Sequence, residues 1–330
     1  MSLIIAILIF TFVVGVCIGS FLNVVILRSL SEESIVFPAS KCPKCQTPLK
    51  WWHNIPILSY IFLKGKCAFC KEPISIQYPI VELFTGIIYT LIIMKFGLSI
   101  MTLYLWIVSA LLIVIAMTDI KEKVVFDIHT ISLISIGLLY SLILLIATLF
   151  GLHKIDSLHF DWNLVLNNYF TLSVIGAIAG AVIMEIFARL GHLVAGTRAF
   201  GEGDTYIAAG LGAVLGFPNI LIALLLSVFI QVIFTLPIFI KKLVLKKETL
   251  TLAILSAFIL YAAVFGYLSV KGIVEPAGGL YITFAVILAL IGLYLCKLII
   301  TGIKQESAEE LTYLPFGPAM ALAGLVLLVL

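Results

Sequence analysis

Four cysteines in two close pairs have a spacing that is typical of metal ligands. Cys42 and Cys45 form one pair and Cys67 and Cys70 the other, with 21 residues between the pairs. Two such pairs can supply four thiolates to a tetrahedral zinc ion, and a closed site of this kind leaves no open position for catalysis. The pattern predicts a structural zinc site, against the alternative of free or redox-active thiols.

Two aspartates beside long apolar runs are the next candidates, because an ionisable side chain at membrane depth is costly. Asp119 follows one such run, and Asp204 ends the string Gly201-Glu202-Gly203-Asp204. Two carboxylates held together and partly out of water cannot both ionise easily, so one stays protonated while the other can act as a base on water. This favours an aspartic-peptidase pair. A helix cap at Asp204 and a helix end at Asp119 are the structural alternative.

Residues around these aspartates add to the candidate site. Gly201 and Gly203 would let the backbone adopt positive φ and approach another chain closely. Asp127 competes with Asp119, which it follows by eight residues. Glu82 lies inside an apolar run, where it is a candidate for pocket lining or for hydrogen bonding between helices.

The composition shows what kind of protein must hold these residues. Of 330 residues, 63% are hydrophobic and 11% are charged, whereas soluble proteins carry roughly 25% charged residues. A soluble enzyme, a disordered chain and a small disulfide-rich secreted module are excluded. The net charge of +3 is too small to indicate nucleic-acid binding. We therefore predict an all-α polytopic membrane protein with a small cytoplasmic four-cysteine zinc-binding segment.

Apolar runs of the length that a bilayer requires, about 20 residues, predict about ten transmembrane helices, within a range of eight to ten. They cover residues 3–27, 79–97, 100–118, 128–150, 171–191, 205–217, 219–240, 250–270, 280–301 and 315–330. The first run lacks a basic flank and a clear cleavage site, so we expect an uncleaved anchor. With the N-terminus outside, 17 of the 20 lysines and arginines fall on the cytoplasmic side, together with the cysteines and both aspartates.

Several short motifs follow one another along the chain. They comprise residues 19–25, the two cysteine pairs, and residues 54–60, 73–75, 78–83, 118–120, 201–204, 209–213 and 315–318. In this order they resemble the motifs of the prepilin peptidase family, the bacterial type IV leader peptidases. The resemblance runs from about residue 15 to residue 323.

The resemblance implies a specific activity. Members of this family are aspartic endopeptidases that remove the basic leader from type IV prepilins or type II secretion pseudopilins at the cytoplasmic membrane face. Many then transfer a methyl group from S-adenosylmethionine to the new N-terminal amine. Carried over to this sequence, Asp119 and Asp204 become the catalytic pair and the four cysteines become zinc ligands. The implied location is the bacterial inner membrane, and the implied partners are prepilin or pseudopilin substrates and lipid, with no nucleic acid.

The same resemblance divides the chain into five parts: residues 1–27 (first helix), 28–78 (cytoplasmic, zinc-binding and methyltransferase-associated), 79–248 (peptidase core), 249–304 (helix hairpin) and 305–330 (C-terminal helix). Two features depart from the family pattern. The hairpin is an insertion before the final motif, and the chain lacks a proline that relatives often carry shortly before Asp127.

Two other functions stay open from the residues alone. A proton-coupled transporter would use intramembrane acids as a relay, but such proteins often contain internal repeats, and the two halves of this sequence show none. A non-catalytic scaffold for a pilus or secretion machine would need zinc only for its fold. The aspartates with their glycine string favour the enzyme over both.

Overall fold

The computed structural model describes residues 2–150, 168–195, 201–245, 249–270 and 315–329, with single residues between 283 and 294. Most of the predicted helix 280–301 therefore lies outside the described residues. Ten α-helices are described: α1 Ser2–Ser31, α2 Leu58–Phe62, α3 Gln77–Phe96, α4 Ile100–Glu122, α5 Asp127–Leu149, α6 Tyr169–Ala195, α7 Glu202–Leu215, α8 Asn219–Leu245, α9 Thr249–Val270 and α10 Gly317–Val329.

The prediction of an all-helical membrane protein is confirmed, whereas the count of about ten spans is not. Six helices in the described part of the chain are long and apolar enough to cross a membrane: α1, α3, α4, α5, α6 and α8. Residues Thr249–Tyr261 of α9 and all of α10 form shorter apolar helices. Helix α7 has 14 residues and is about 21 Å long, which is less than the thickness of a bilayer core.

The chain divides into two compact units. One comprises Met1–Ile186, Phe200–Ile230 and Pro315–Leu330, and the other comprises Phe187–Ala199 and Gln231–Leu314. All candidate site residues belong to the first unit. Within the second unit, Leu255 is buried among apolar side chains of α8 and α9.

Close packing holds the helices of the first unit together. A Cβ at Gly19 of α1 would lie 2.7 Å from the Cα of Glu82, so only glycine allows α1 to approach α3 this closely. Tyr89 of α3 stacks on Trp106 of α4 with ring centroids 4.9 Å apart, and each side chain donates a 3.1 Å hydrogen bond to the backbone carbonyl of the other. Helix α10 packs against α4 and α7.

Several helices continue beyond the apolar runs that predicted them. Helix α1 extends four residues past position 27, and α4 continues to Glu122, so that Asp119 lies inside α4 instead of after it. The end of α4 is set by Lys123, which has a left-handed φ of 56° and donates its amide hydrogen to the carbonyl of Asp119 at 3.0 Å. Hydropathy marks where the chain leaves the apolar layer, whereas capping geometry determines where a helix ends.

The candidate residues lie at one end of the first unit. Ser29 near the end of α1 is 3.3 Å (Oγ to Nε2) from His129 near the start of α5. The segment that contains the four cysteines connects α1 to α3, and the short turn between α3 and α4 brings the end of α4 back to the same level. The cysteines, the end of α4 and the start of α5 therefore share one end of the helix bundle.

Candidate functional site

The four cysteine sulfur atoms converge although they come from two distant parts of the segment. All four Sγ atoms lie within 4.8 Å of one another, and those of Cys42 and Cys70 are 3.9 Å apart. A tetrahedral zinc ion with bonds of about 2.3 Å requires sulfur atoms about 3.8 Å apart. The donor set therefore fits zinc in both chemistry and geometry.

The two cysteine pairs have the same backbone structure. In each, the amide of the first cysteine donates to the carbonyl five residues later, at 3.1 Å for Cys42 and 2.8 Å for Cys67. The amide four residues after that cysteine donates back to it, from Gln46 at 2.9 Å and from Lys71 at 3.1 Å. Gln46 and Lys71 have left-handed φ values of 56° and 62°. Each tight turn directs both cysteines of its pair towards one point.

The cysteine sulfurs differ in acidity. Hydrogen bonds from the side chain and backbone of Thr47 lower the pKa of Cys45 to about 6, and backbone hydrogen bonds from Cys70 and Phe69 lower the pKa of Cys67. Cys70 receives a backbone hydrogen bond from Glu72 that lowers its pKa, but partial desolvation of its sulfur and the neighbouring cysteine side chains raise the pKa to about 11. A cation is needed before all four groups can ionise together.

Asp119 and Asp204 come from separate helices and meet in the interior of the first unit. Asp119 lies near the end of α4 and is 5% exposed, and Asp204 lies in the first turn of α7 and is 9% exposed. Their charges are close enough to interact. The structure therefore brings together the two aspartates that the sequence paired.

Gly317 of α10 forms the third side of this site. Its backbone amide interacts with the Asp119 carboxyl group, and a Cβ at this position would collide with Asp119 Oδ2 and with Ile207. Oδ2 is buried without a hydrogen bond of ordinary geometry among the described residues. Only glycine at the start of α10 leaves room for that oxygen.

Asp204 also caps its own helix, as the structural alternative expected. Its Oδ2 accepts a hydrogen bond of 3.1 Å from the backbone amide of Gly201. This bond orients the carboxylate and satisfies an amide that the helix leaves unpaired. Capping and a catalytic role are compatible, because the bond fixes the position of the carboxyl group.

The expected reason for the two glycines was partly wrong. Gly201 has a φ of −68° and Gly203 is helical, so neither adopts positive φ. Gly203 does make a close approach, but within this chain: a Cβ there would lie 2.6 Å from the Cβ of Val125. The loop after α4 therefore rests directly on the first turn of α7.

Profiles of known families match both halves of this site. The bacterial peptidase A24 N-terminal domain matches residues 13–96, which include the four cysteines. The type IV leader peptidase family matches residues 106–236, which include both aspartates. A relative named prepilin leader peptidase/N-methyltransferase, from Neisseria gonorrhoeae, is 33% identical over 245 residues, covering 67% of this chain and 78% of the relative. The chain belongs to the type IV leader peptidase family.

Other family members with the same printed name are similarly related. The protein from Klebsiella pneumoniae is 34% identical over 66% of this chain and 89% of its own length. The protein from Myxococcus xanthus is 34% identical over 66% of this chain, which spans 59% of that relative's length. No solved structure shows a significant match to this chain.

The other predicted site residues do not belong to the aspartate pair. Asp127 is exposed at the start of α5, and Glu202 is exposed at the start of α7. Glu82 is buried between α1 and α3, where it accepts a hydrogen bond of 2.7 Å from the amide of Ile57 and another from Ser20. These two hydrogen bonds connect the cysteine segment to α1 and α3.

Two contacts of the site go beyond the predictions from the sequence. Residues 315–318 form one of the motifs, but the motif gives no role to Gly317, and no pattern predicts the contact of Val125 with Gly203. The signal for Gly317 was present, because a glycine between Phe316 and Pro318 at the start of an apolar run marks a close backbone approach. The contact of Val125 depends on how two helices pack and has no signal in the sequence.

Proposed function

We propose that this chain is a membrane-embedded aspartic endopeptidase that removes the leader of type IV prepilins or type II secretion pseudopilins. We infer that it also methylates the new N-terminus. The observation that carries this proposal is the pair of buried, interacting carboxylates of Asp119 and Asp204, in a chain whose relatives are named prepilin leader peptidase/N-methyltransferase. A scaffold would have no use for two costly buried acids.

The proposed reaction is hydrolysis by a water molecule between the two aspartates. The ionised carboxylate takes a proton from water as the water oxygen attacks the scissile carbonyl, and the protonated carboxyl group donates its proton to the carbonyl oxygen. Collapse of the tetrahedral intermediate breaks the C–N bond, and the leaving amine receives the proton that came from water. The proximity of two buried carboxyl groups supports this role, because one can hold a proton while the other is ionised.

We infer that the site faces the cytoplasm. The distribution of lysine and arginine favours this side for the end of the bundle that holds the cysteines and α4. A basic leader would then stay in the cytoplasm while the apolar helix of the substrate packs beside the spans.

We assign the four cysteines to a structural zinc site within the methyltransferase-associated segment. Zinc, when bound, would act as a cross-link between the two cysteine pairs and leave no coordination position for substrate. S-adenosylmethionine is the proposed methyl donor. We assign its site to the cysteine segment and the adjoining ends of the spans.

The test is a mass spectrum of a prepilin peptide after incubation with purified protein and S-adenosylmethionine. The wild type should remove the leader and add the mass of one methylene group to the mature peptide. Asp119→Asn and Asp204→Asn should each reduce cleavage by at least the factor of about 10² that general acid–base groups contribute. Asp127→Asn is the matched control, because it removes an exposed aspartate eight residues from Asp119 and should keep near wild-type cleavage.

The control separates the two possible assignments of the first aspartate. Loss of cleavage in Asp127→Asn with retention in Asp119→Asn would transfer the catalytic role to Asp127. Near wild-type cleavage by Asp204→Asn would end the proposal of an aspartate pair. All three variants should purify from membranes in amounts similar to the wild type.

A further inference from the structure

The linker between the two cysteine pairs, residues 50–62, exposes an unusual amount of apolar surface. Trp51 is 75% exposed, Leu58 51%, Ile61 61% and Phe62 80%. The linker contains the 3₁₀ turn Trp51–Asn54 and the short helix α2, and none of its residues is buried. Large apolar side chains that cluster on a surface indicate a partner or a membrane.

A hydrogen bond to a membrane helix sets the level of this linker. The amide of Ile57, in the middle of the linker, donates to the carboxylate of Glu82 at 2.7 Å. Glu82 is the sixth residue of α3, which places it about 8 Å beyond the first residue of that helix. Because α3 is long and apolar enough to span a membrane, this hydrogen bond holds Ile57 beside the first two turns of a candidate span.

Aromatic rings extend the exposed surface from the linker to the second cysteine pair. Ring centroids are 5.4 Å apart for Trp51 and Trp52, 5.7 Å for Trp52 and His53, and 5.4 Å for His53 and Phe69. The ammonium group of Lys50 lies 5.0 Å from the centre of a Trp52 ring. Tryptophan with adjacent lysine is typical of the boundary between lipid and water.

The positive charge around the linker indicates which kind of partner can bind there. Residues 34–71 contain six lysines, all exposed, and no acidic residue. Four thiolates on a Zn²⁺ ion carry a net charge of −2, so this stretch stays positive with the metal bound. A basic leader peptide would be repelled, whereas an anionic phospholipid surface offers both negative charge and an apolar layer.

We propose that the linker docks on the anionic phospholipid surface of the membrane that the spans cross. The apolar side chains of Trp51, Leu58, Ile61 and Phe62 enter the interfacial layer, and the lysines contact lipid phosphates. This second anchor holds the four-cysteine centre at the membrane surface, at the same end of the bundle as Asp119.

The experiment uses the full chain in phosphatidylcholine vesicles, with and without phosphatidylglycerol, prepared with lipids brominated on the acyl chain close to the headgroup. Bromine quenches tryptophan fluorescence only by contact. We expect a quenched component in the wild type that is absent from the Trp51→Phe/Trp52→Phe variant, because these two exposed side chains are the tryptophans of the linker. The quenched fraction should increase when phosphatidylglycerol is present.

A pair of lysine variants tests the charge. Lys50→Glu should remove most of the increase that phosphatidylglycerol causes. Lys95→Glu is the matched control and should preserve it, because Lys95 also lies over an aromatic ring, at 5.1 Å, but at the far end of α3. Equal effects of the two variants would overturn the role of the linker lysines.

Two other results would overturn the proposal. In one, the component assigned to Trp51 and Trp52 is quenched by aqueous iodide and not by brominated lipid, which would leave the linker in water. In the other, a prepilin peptide in detergent protects these tryptophans from iodide, which would make the linker a substrate surface. Neither readout depends on peptidase activity.

Discussion

Asp119 Oδ2 illustrates at the scale of one residue how this fold accommodates a reactive group. The oxygen is buried, and a Cβ at position 317 would collide with it. The absence of a side chain at Gly317 leaves space beside it. The Asp119 carboxyl group can therefore occupy this position only because residue 317 is glycine.

The cysteines give a prediction at the same scale. Immediately after a chelator strips the metal at pH 7.5, while both turns are still folded, Cys45 should be alkylated by iodoacetamide before Cys70. The reason is that only the thiolate reacts, and the pKa is about 6 for Cys45 and about 11 for Cys70. Exposure alone predicts the reverse order, since Cys70 is exposed and Cys45 is half-buried. Peptide mass spectra over time measure the order, and faster labelling of Cys70 would contradict the assigned acidities.

At the scale of elements, the site depends on how the first turn of α7 meets the turn after α4. Lys123 ends α4 with a left-handed φ of 56°, and the chain then places Val125 on Gly203. This contact fixes the separation between the ends of two helices that carry Asp119 and Asp204. The geometry of the carboxylate pair is therefore a consequence of backbone packing as well as of the two side chains.

The two glycines of the motif allow a matched test of this packing. Gly203→Ala should destabilise the protein by about 1–3 kcal/mol through overpacking and should slow cleavage, because its Cβ would lie 2.6 Å from the Cβ of Val125. Gly201→Ala should have little effect, since the added Cβ would lie no closer than 3.8 Å to another atom and the φ of −68° suits alanine. Thermal unfolding in detergent and the rate of leader removal measure both effects.

A compensating change makes this test specific. Adding Val125→Gly to Gly203→Ala should restore part of the stability and rate. If the double variant is as impaired as Gly203→Ala alone, the contact between α7 and the turn after α4 is not the cause.

At the scale of the whole molecule, the four-cysteine segment is organised differently from the helices around it. Of residues 32–76, only Cys42 and Cys67 are buried, so the segment has no hydrophobic core of its own. The spans, in contrast, share one continuous core. A structural metal is the usual solution for a segment of this kind.

Removal of the metal should therefore affect the segment and spare the spans. After treatment with a chelator, limited proteolysis should cut within residues 32–76, while the helical circular dichroism of the spans changes little. Methylation should fall more than leader removal, since the aspartates belong to the helical core. Unchanged protease resistance of the segment would show that zinc does not stabilise it.

The types and order of the residues determined much of this protein. The scarcity of charge required a membrane protein, the spacing of the cysteines indicated one metal site, and the position of Asp119 and Asp204 beside apolar runs marked them as a pair. These inferences are local, because they depend on the cost of burying charge and on short spacings along the chain.

Contacts between residues that are far apart along the chain follow from how the helices pack. In the structure, Gly317 lies beside Asp119 and Val125 contacts Gly203. The carboxylate of Glu82 accepts a hydrogen bond from the amide of Ile57. Asp119 lies inside α4, although the apolar run predicted that the helix would end before it. Such contacts depend on the rotation and spacing of packed helices, and a change of one residue turns a helix by about 100°, which hydropathy does not detect. The sequence thus contains the reactive groups, and helix packing determines what surrounds them.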